Sequence, residues 1–212
     1  MGFQIRVSLA AAQLDAAGRL HSRLAFWKAT DEALDDLSRR IPSFNASACL
    51  IKASAINQLY STNVYALPAM AEHIAEVIAG PSEEDLVERL ALLNGVRHVS
   101  FASKFAHFFI DSERYPIFDG YAHRMLRYHL IGVPAADPPP YAEYAGAHRA
   151  LIELCGLACS GRELDRYLWL GGLYAKWLKD HGAKINSEAS RLFVQRDRDA
   201  SIDADLMALK LD

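Results

Sequence analysis

Residues 101–110 read FASKFAHFFI, and residues 118–130 read FDGYAHRMLRYHL. Wound at about 100° per residue, the first stretch sets Phe101, Phe105, Phe108 and Phe109 on one apolar stripe, with Lys104 at its border. The second opens on Asp119-Gly120, and an aspartate there can accept hydrogen bonds from the free amides of a first helical turn. Both stretches predict helices, joined by the connection DSERYPI at 111–117. Lys104 then has two readings. In one, its stem lies on aromatic rings while the amine stays in water. In the other, the amine sits in a poorly solvated pocket, which lowers its pKa and makes it nucleophilic. Asp119 reads as a helix cap, and a carboxylate fixed there also suits positive charge developing beside it.

Outward from this centre, nearly every periodic segment is helical. From His21 to Ile41, Leu24, Trp27, Ala33, Leu34 and Leu37 recur at three- and four-residue steps. Ser43 or Asn45 can cap a helix from Cys49 to Tyr60, and Val64 to Ile78 gives another, closed by Gly80-Pro81. Ser82, followed by Glu83, Glu84 and Asp85, starts a helix that runs to about Leu93 and stops at Asn94-Gly95. The stretch GVPAADPPP at 132–140 is a connector between the helix from about Tyr121 to Leu130 and two helices at about Tyr141–Cys159 and Arg162–Asp180. Strands, phosphate-loop glycine patterns and repeats are missing from the pattern. The expectation is an all-α chain with one helical domain over 1–185 and a polar C-terminal tail, 186–212, open to a last helix or to fraying. Within the domain, about 45–130 forms the lobe with the cleft, and the remaining helices come from 1–44 and 141–185.

Composition narrows the function classes. The 212 residues are 51% apolar and 23% charged, the balance of an ordinary folded protein. No window approaches 18 uninterrupted apolar residues, so no membrane span is expected. The opening MGFQIRVSLAAAQLDAAG does not read as a secretory signal, which places the expected location in the cytoplasm. Three cysteines exclude a disulfide framework, and all three read as small buried hydrophobes. No ligand set for a metal or cofactor stands out. His107 lies one turn after Lys104, and His123 four residues after Asp119, so both are candidates to line a shared pocket. Arg124, Arg127 and His129 form either a phosphate-facing side or a solvated face.

The string Phe101-Ala102-Ser103-Lys104-Phe105-Ala106-His107-Phe108-Phe109, followed by Pro116-Ile117-Phe118-Asp119, resembles the helix-hairpin-helix DNA glycosylases. It is most similar to the compact 8-oxoguanine DNA glycosylases of archaea and bacteria. Glu163-Leu164-Asp165-Arg166-Tyr167-Leu168-Trp169 is similar to that subfamily's Leu-Asp-x-Tyr-Leu-Trp helix. Ile56 to Val64 (INQLYSTNV) is similar to its early helix and turn, which approach the DNA. The resemblance implies two helical lobes flanking a cleft, damaged DNA as partner, and no metal or cofactor. It implies that Lys104 attacks C1′ of the damaged nucleotide to form a Schiff base. Asp119 would activate that amine and stabilise the cation-like sugar as the base leaves. Tyr60, Ser103, His107, His123, Asp165 and Trp169 are the candidate substrate-binding residues. The implied activity is a bifunctional glycosylase and AP lyase that removes an oxidised purine; the sequence leaves the oligomeric state open, with a monomer as the expectation. The alternatives are a non-catalytic nucleic-acid-binding module on the same fold, or a helical protein-interaction domain. Where the family's hairpin carries glycines just before the lysine, this chain has His98-Val99-Ser100-Phe101-Ala102-Ser103.

The charge balance, 23 Lys+Arg against 26 Asp+Glu, gives a formal net charge of −3. Residues 97–130 carry five Lys/Arg against three acids, a local +2, and four of the eight histidines. A locally positive face on an acidic protein predicts weak, salt-sensitive DNA binding.

Overall fold

The computed structural model describes residues 2–81, 85–180 and 185–211. In chain order it holds β1 (Gln4–Ile5), α1 (Ala11–Ser22), α2 (Ala25–Arg40), α3 (Ala46–Tyr60), α4 (Leu67–Ala79) and α5 (Leu86–Ala91). Next come β2 (Leu92–Leu93), β3 (Val96–Arg97), α6 (Val99–Phe109), α7 (Gly120–His129), β4 (Leu130–Ile131) and α8 (Tyr141–Cys155). The chain ends with α9 (Gly161–Lys179), α10 (Ser187–Val194) and α11 (Ala200–Leu209). The fold is therefore mostly helical, as the hydrophobic periodicity requires.

Local chemistry explains most boundaries. Asn45 caps α3, its side chain accepting from Ala48 N at 2.9 Å. Ser160 and Glu163 form a capping box at the start of α9. The helix read from Val64 begins instead at Leu67, because the preceding turn is tied to α3. Asn57 Oδ1 accepts from Val64 N at 2.8 Å and from Thr62 Oγ1 at 2.9 Å, with Asn63 at φ 57°. The proposed cap Ser82 and its neighbours Glu83 and Glu84 lie outside the described residues.

Three readings of the sequence need correction. The segment from His21 to Ile41 is not one helix: α1 ends at Ser22 and α2 starts at Ala25. Asn94-Gly95 does not simply stop a helix. With φ of 51° and 76° they form the turn of a short hairpin, β2 paired antiparallel with β3. Asn-Gly is the favoured pair where both central residues need positive φ. Finally, of the three cysteines only Cys49 is buried. Cys155 is partly exposed, and its sulfur receives Leu9 N at 3.4 Å.

The chain divides into two compact units, passing from one to the other after Ala29, Phe118, Asp137 and Ala145. The first unit comprises Met1–Ala29, Asp119–Asp137 and Gly146–Asp212. In it α1 packs on α9 and α11, and α7 packs on α9. Gly171 and Gly172 make the α7–α9 approach possible. A Cβ at Gly172 would stand 2.7 Å from Tyr121 O, and one at Gly171 2.9 Å from Met125 Cε. The tail is helical here, with Ile202, Leu206 and Leu209 buried. The second unit comprises Thr30–Phe118 and Pro138–Ala145. Its core joins α3 to α4 and α6, and α5 to α6, around Ile56, Met70, Ile74, Leu90, Phe101 and Phe105.

Candidate functional site

The second unit holds Tyr60, Ser103, Lys104 and His107. Every residue of α6 from Phe101 to Phe109 is buried, so the helix is enclosed on all sides rather than along one stripe. Lys104 is 5% exposed, which rules out the reading that leaves its amine in open water. Its Nζ donates to Ser100 Oγ at 2.7 Å, Ser100 O at 3.1 Å and Phe118 O at 3.1 Å, and lies 5.5 Å from the Tyr60 ring centroid. A buried charge requires such oxygens, and each charge-assisted bond contributes roughly 1.5–3 kcal/mol.

The segment before Asp119 is irregular, yet its acceptors are occupied one after another. Tyr115 O faces His107 Nδ1 at 3.0 Å, and Pro116 O accepts from Tyr141 Oη at 2.8 Å. Ile117 O accepts from Tyr144 Oη at 2.7 Å, and Phe118 O from Lys104. Ser103 completes the strap: its hydroxyl accepts from Phe118 N at 3.0 Å. Since a carbonyl can only accept, His107 must carry its hydrogen on Nδ1. Buried carbonyls left without donors would be costly, so two helices, α6 and the start of α8, hold this stretch in place.

Sequence reasoning named Tyr60, Ser103, Lys104 and His107 here but missed Ser100, Tyr141 and Tyr144. Ser100 lies four residues before Lys104, a helical neighbour position that could have flagged it. The two tyrosines act across 25 and 27 positions and leave no local signal.

A second buried lysine also escaped notice. Lys52 on α3 is 1% exposed, with Nζ 3.6 Å over the Phe44 ring and donating to Ser43 O at 3.1 Å. Burial pulls its pKa down from the usual lysine value.

The first unit holds Asp119, His123, Asp165 and Trp169. Asp119 caps α7 as its position predicts, Oδ1 accepting from Tyr121 N and Ala122 N, both at 2.7 Å. His123 is buried and its Nε2 meets Pro134 O at 2.9 Å; burial pulls its pKa below the ordinary histidine value. Asp165 is buried, with Oδ1 3.1 Å from His148 Nε2, and the Trp169 ring packs edge-on to Trp27 at 5.0 Å between centroids. His129 belongs to the interior and not to a phosphate-facing side. Its Nδ1 meets Val7 O and its Nε2 meets Tyr167 Oη, both at 2.8 Å, and burial pulls its pKa below the ordinary histidine value. Among the described residues, no group of three or more His, Cys, Asp or Glu is arranged to hold a metal ion, and no helix is long and apolar enough to cross a membrane.

A family model described as HI_0787_N, N-terminal domain, matches residues 11–113, just under half of the chain. The match takes in Tyr60, Ser103, Lys104 and His107 and ends before Asp119. No curated protein and no solved structure matches the chain.

Proposed function

We propose that this protein is a base-excision DNA repair glycosylase with AP lyase activity, removing an oxidised purine such as 8-oxoguanine through a Schiff base on Lys104. The observation that carries the reading is the state of Lys104, a lysine 5% exposed in an apolar helix with its amine held at defined oxygens. A lysine buried at such a position is the kind of group that serves as a nucleophile once it has lost a proton. The sequence resemblance to the helix-hairpin-helix glycosylases supplies the substrate. In this reading the target nucleotide leaves the duplex stack. Lys104 Nζ bonds to C1′ as the glycosidic bond breaks and the base departs with its electron pair and a proton. The attacking nitrogen gives up its proton, the sugar ring opens to the imine, and β-elimination cleaves the strand. In this reading the carboxylate of Asp119, whose Oδ1 accepts from the first amides of α7, stabilises the developing positive charge.

Borohydride trapping on duplex DNA holding 8-oxoguanine or an abasic site tests this. Wild-type protein is expected to crosslink, Lys52→Ala to crosslink equally, and Lys104→Ala not at all. Asp119→Asn keeps an oxygen acceptor for the cap, so its fold should persist while trapping falls by about a hundredfold or more. A wild-type protein that never crosslinks, or a crosslink that survives Lys104→Ala, refutes the assignment.

A second reading, a non-catalytic nucleic-acid-binding module, is favoured by one specific observation. The stretch His98–Ser103 has no glycine and, after the cap residue His98, is already part of α6, where the resembled hairpin would present backbone amides to a phosphate. That reading predicts salt-dependent DNA binding with no crosslink, unchanged by Lys104→Ala.

A further inference from the structure

The first unit gathers three arginines around one concavity. Arg124 and Arg127 stand one turn apart on α7, and Arg6 follows β1 directly. With Tyr128 and Gly132 they line a pocket of about 300 Å³. Backbone pairing sets this arrangement. Strand β1 pairs with β4 in the register Gln4↔Ile131 and Ile5↔Leu130, and Arg6 N donates to His129 O at 2.8 Å. The Arg6 guanidinium then donates to Arg127 O at 3.1 Å, which fixes it beside the end of α7.

Several other arginines of this acidic chain face carboxylates. Arg19 lies 2.7 Å from Asp205, Arg23 3.2 Å from Asp199, Arg40 2.6 Å from Asp36 and Arg97 2.9 Å from Glu88. Among the described residues, no carboxylate lies within ion-pair distance of Arg6, Arg124 or Arg127, and none lines their pocket. Three like charges in one concavity repel each other, and an anion would relieve that repulsion. Guanidinium matches the oxygens of phosphate in geometry as well as in charge. Arg124 and Tyr128 also form a wall of an adjoining pocket of about 460 Å³, lined further by Lys179 and by Lys176, which is paired with Asp180 at 3.3 Å.

We infer that the pocket of Arg6, Arg124 and Arg127 binds the phosphate of a phosphate ester. The inference does not depend on Lys104 or on base excision. The ester has two possible sources, the phosphodiester backbone of nucleic acid or a free nucleotide, and both present the same oxygens.

The test measures binding without catalysis, using the whole chain, a fluorescein-labelled 20-base-pair undamaged duplex, and AMP as the small probe. Arg124→Gln with Arg127→Gln removes two of the three cations at exposed positions, and Arg149→Gln with Arg191→Gln removes equal charge elsewhere. Circular dichroism checks that each variant is folded. If the backbone is the source, the pocket variant binds the duplex about tenfold more weakly at 50 mM salt, and its log–log salt slope falls by about two. The charge-matched control then stays near wild type, and AMP binds to neither. If a free nucleotide is the source, AMP binds wild type and control but not the pocket variant. Wild type that binds neither probe at low salt overturns the inference. So does a pocket variant that matches the control on both probes. Failure of the borohydride experiment would leave these results untouched.

Discussion

Replacing Gly172 with alanine sets two measurable effects against each other. Alanine is the better helix former by about 1 kcal/mol, so in an exposed helix the change would stabilise. Gly172 instead lies where α9 meets the first turn of α7. The new Cβ would stand 2.7 Å from Tyr121 O, 2.8 Å from Tyr121 Cβ and 2.9 Å from Tyr121 C. Two of those three atoms are backbone, so no side-chain rotation relieves the clash. Ordinary contact begins near 3.4 Å, which requires α7 to withdraw by about 0.7 Å from its present 2.7 Å. Overpacking of this kind costs about 1–3 kcal/mol, so with about 1 kcal/mol of propensity set against it the net expectation is a loss of up to about 2 kcal/mol. For a chain of this size that corresponds to a melting temperature lower by up to roughly 8 °C. The shift also disturbs the turn in which Asp119 accepts from Tyr121 N and Ala122 N. Differential scanning calorimetry of the two proteins decides the matter. A Gly172→Ala protein as stable as wild type, or more so, would show that helix propensity prevails and that the close approach is unimportant.

Two further outcomes follow from the described contacts. Tyr144→Phe leaves Ile117 O without the Tyr144 hydroxyl, now 2.7 Å away, and should lower stability by about 1–2 kcal/mol in urea unfolding; Tyr141→Phe does the same at Pro116 O. His129 titrates lower in the folded chain than its ordinary 6.5, so the unfolded chain binds more protons just below that pH. Its contribution is complete above about pH 6.5 and is lost as pH falls toward the depressed folded value, with buried His123 acting in the same direction. Unfolding free energies at pH 7.5 and 5.5 should therefore differ less in His129→Gln than in wild type, whatever the variant's absolute stability.

The parts legible in the sequence were those written locally. Asn45 and Asp119 cap the helices they precede, and the proline-rich stretch 132–140 holds no helix. The helix α1 left little trace because its buried positions include Ala16 and Ala17, whose small apolar surface contributes little to a periodic signal. Lys104 was singled out by its neighbours, but whether its amine met water or oxygen depended on Ser100 and on Phe118, which is fourteen positions away. His129 looked like part of a polar helix face together with Arg124 and Arg127. Its partners Val7 and Tyr167 come from distant parts of the chain, and no window around residue 129 contains them.

The strap over residues 115–118 bears on where the chain would first come apart. A connection without helix or strand is ordinarily the easiest place for a protease to enter, since its peptide groups need only leave water. Here, pulling the stretch outward would strip oxygens from His107, Tyr141, Tyr144 and Lys104 together, and expose the apolar rings of Tyr115 and Phe118. Opening it requires loosening α6 and the start of α8 at the same time. This irregular stretch of the second unit thus shares the kinetic fate of its core, and nicking should begin elsewhere.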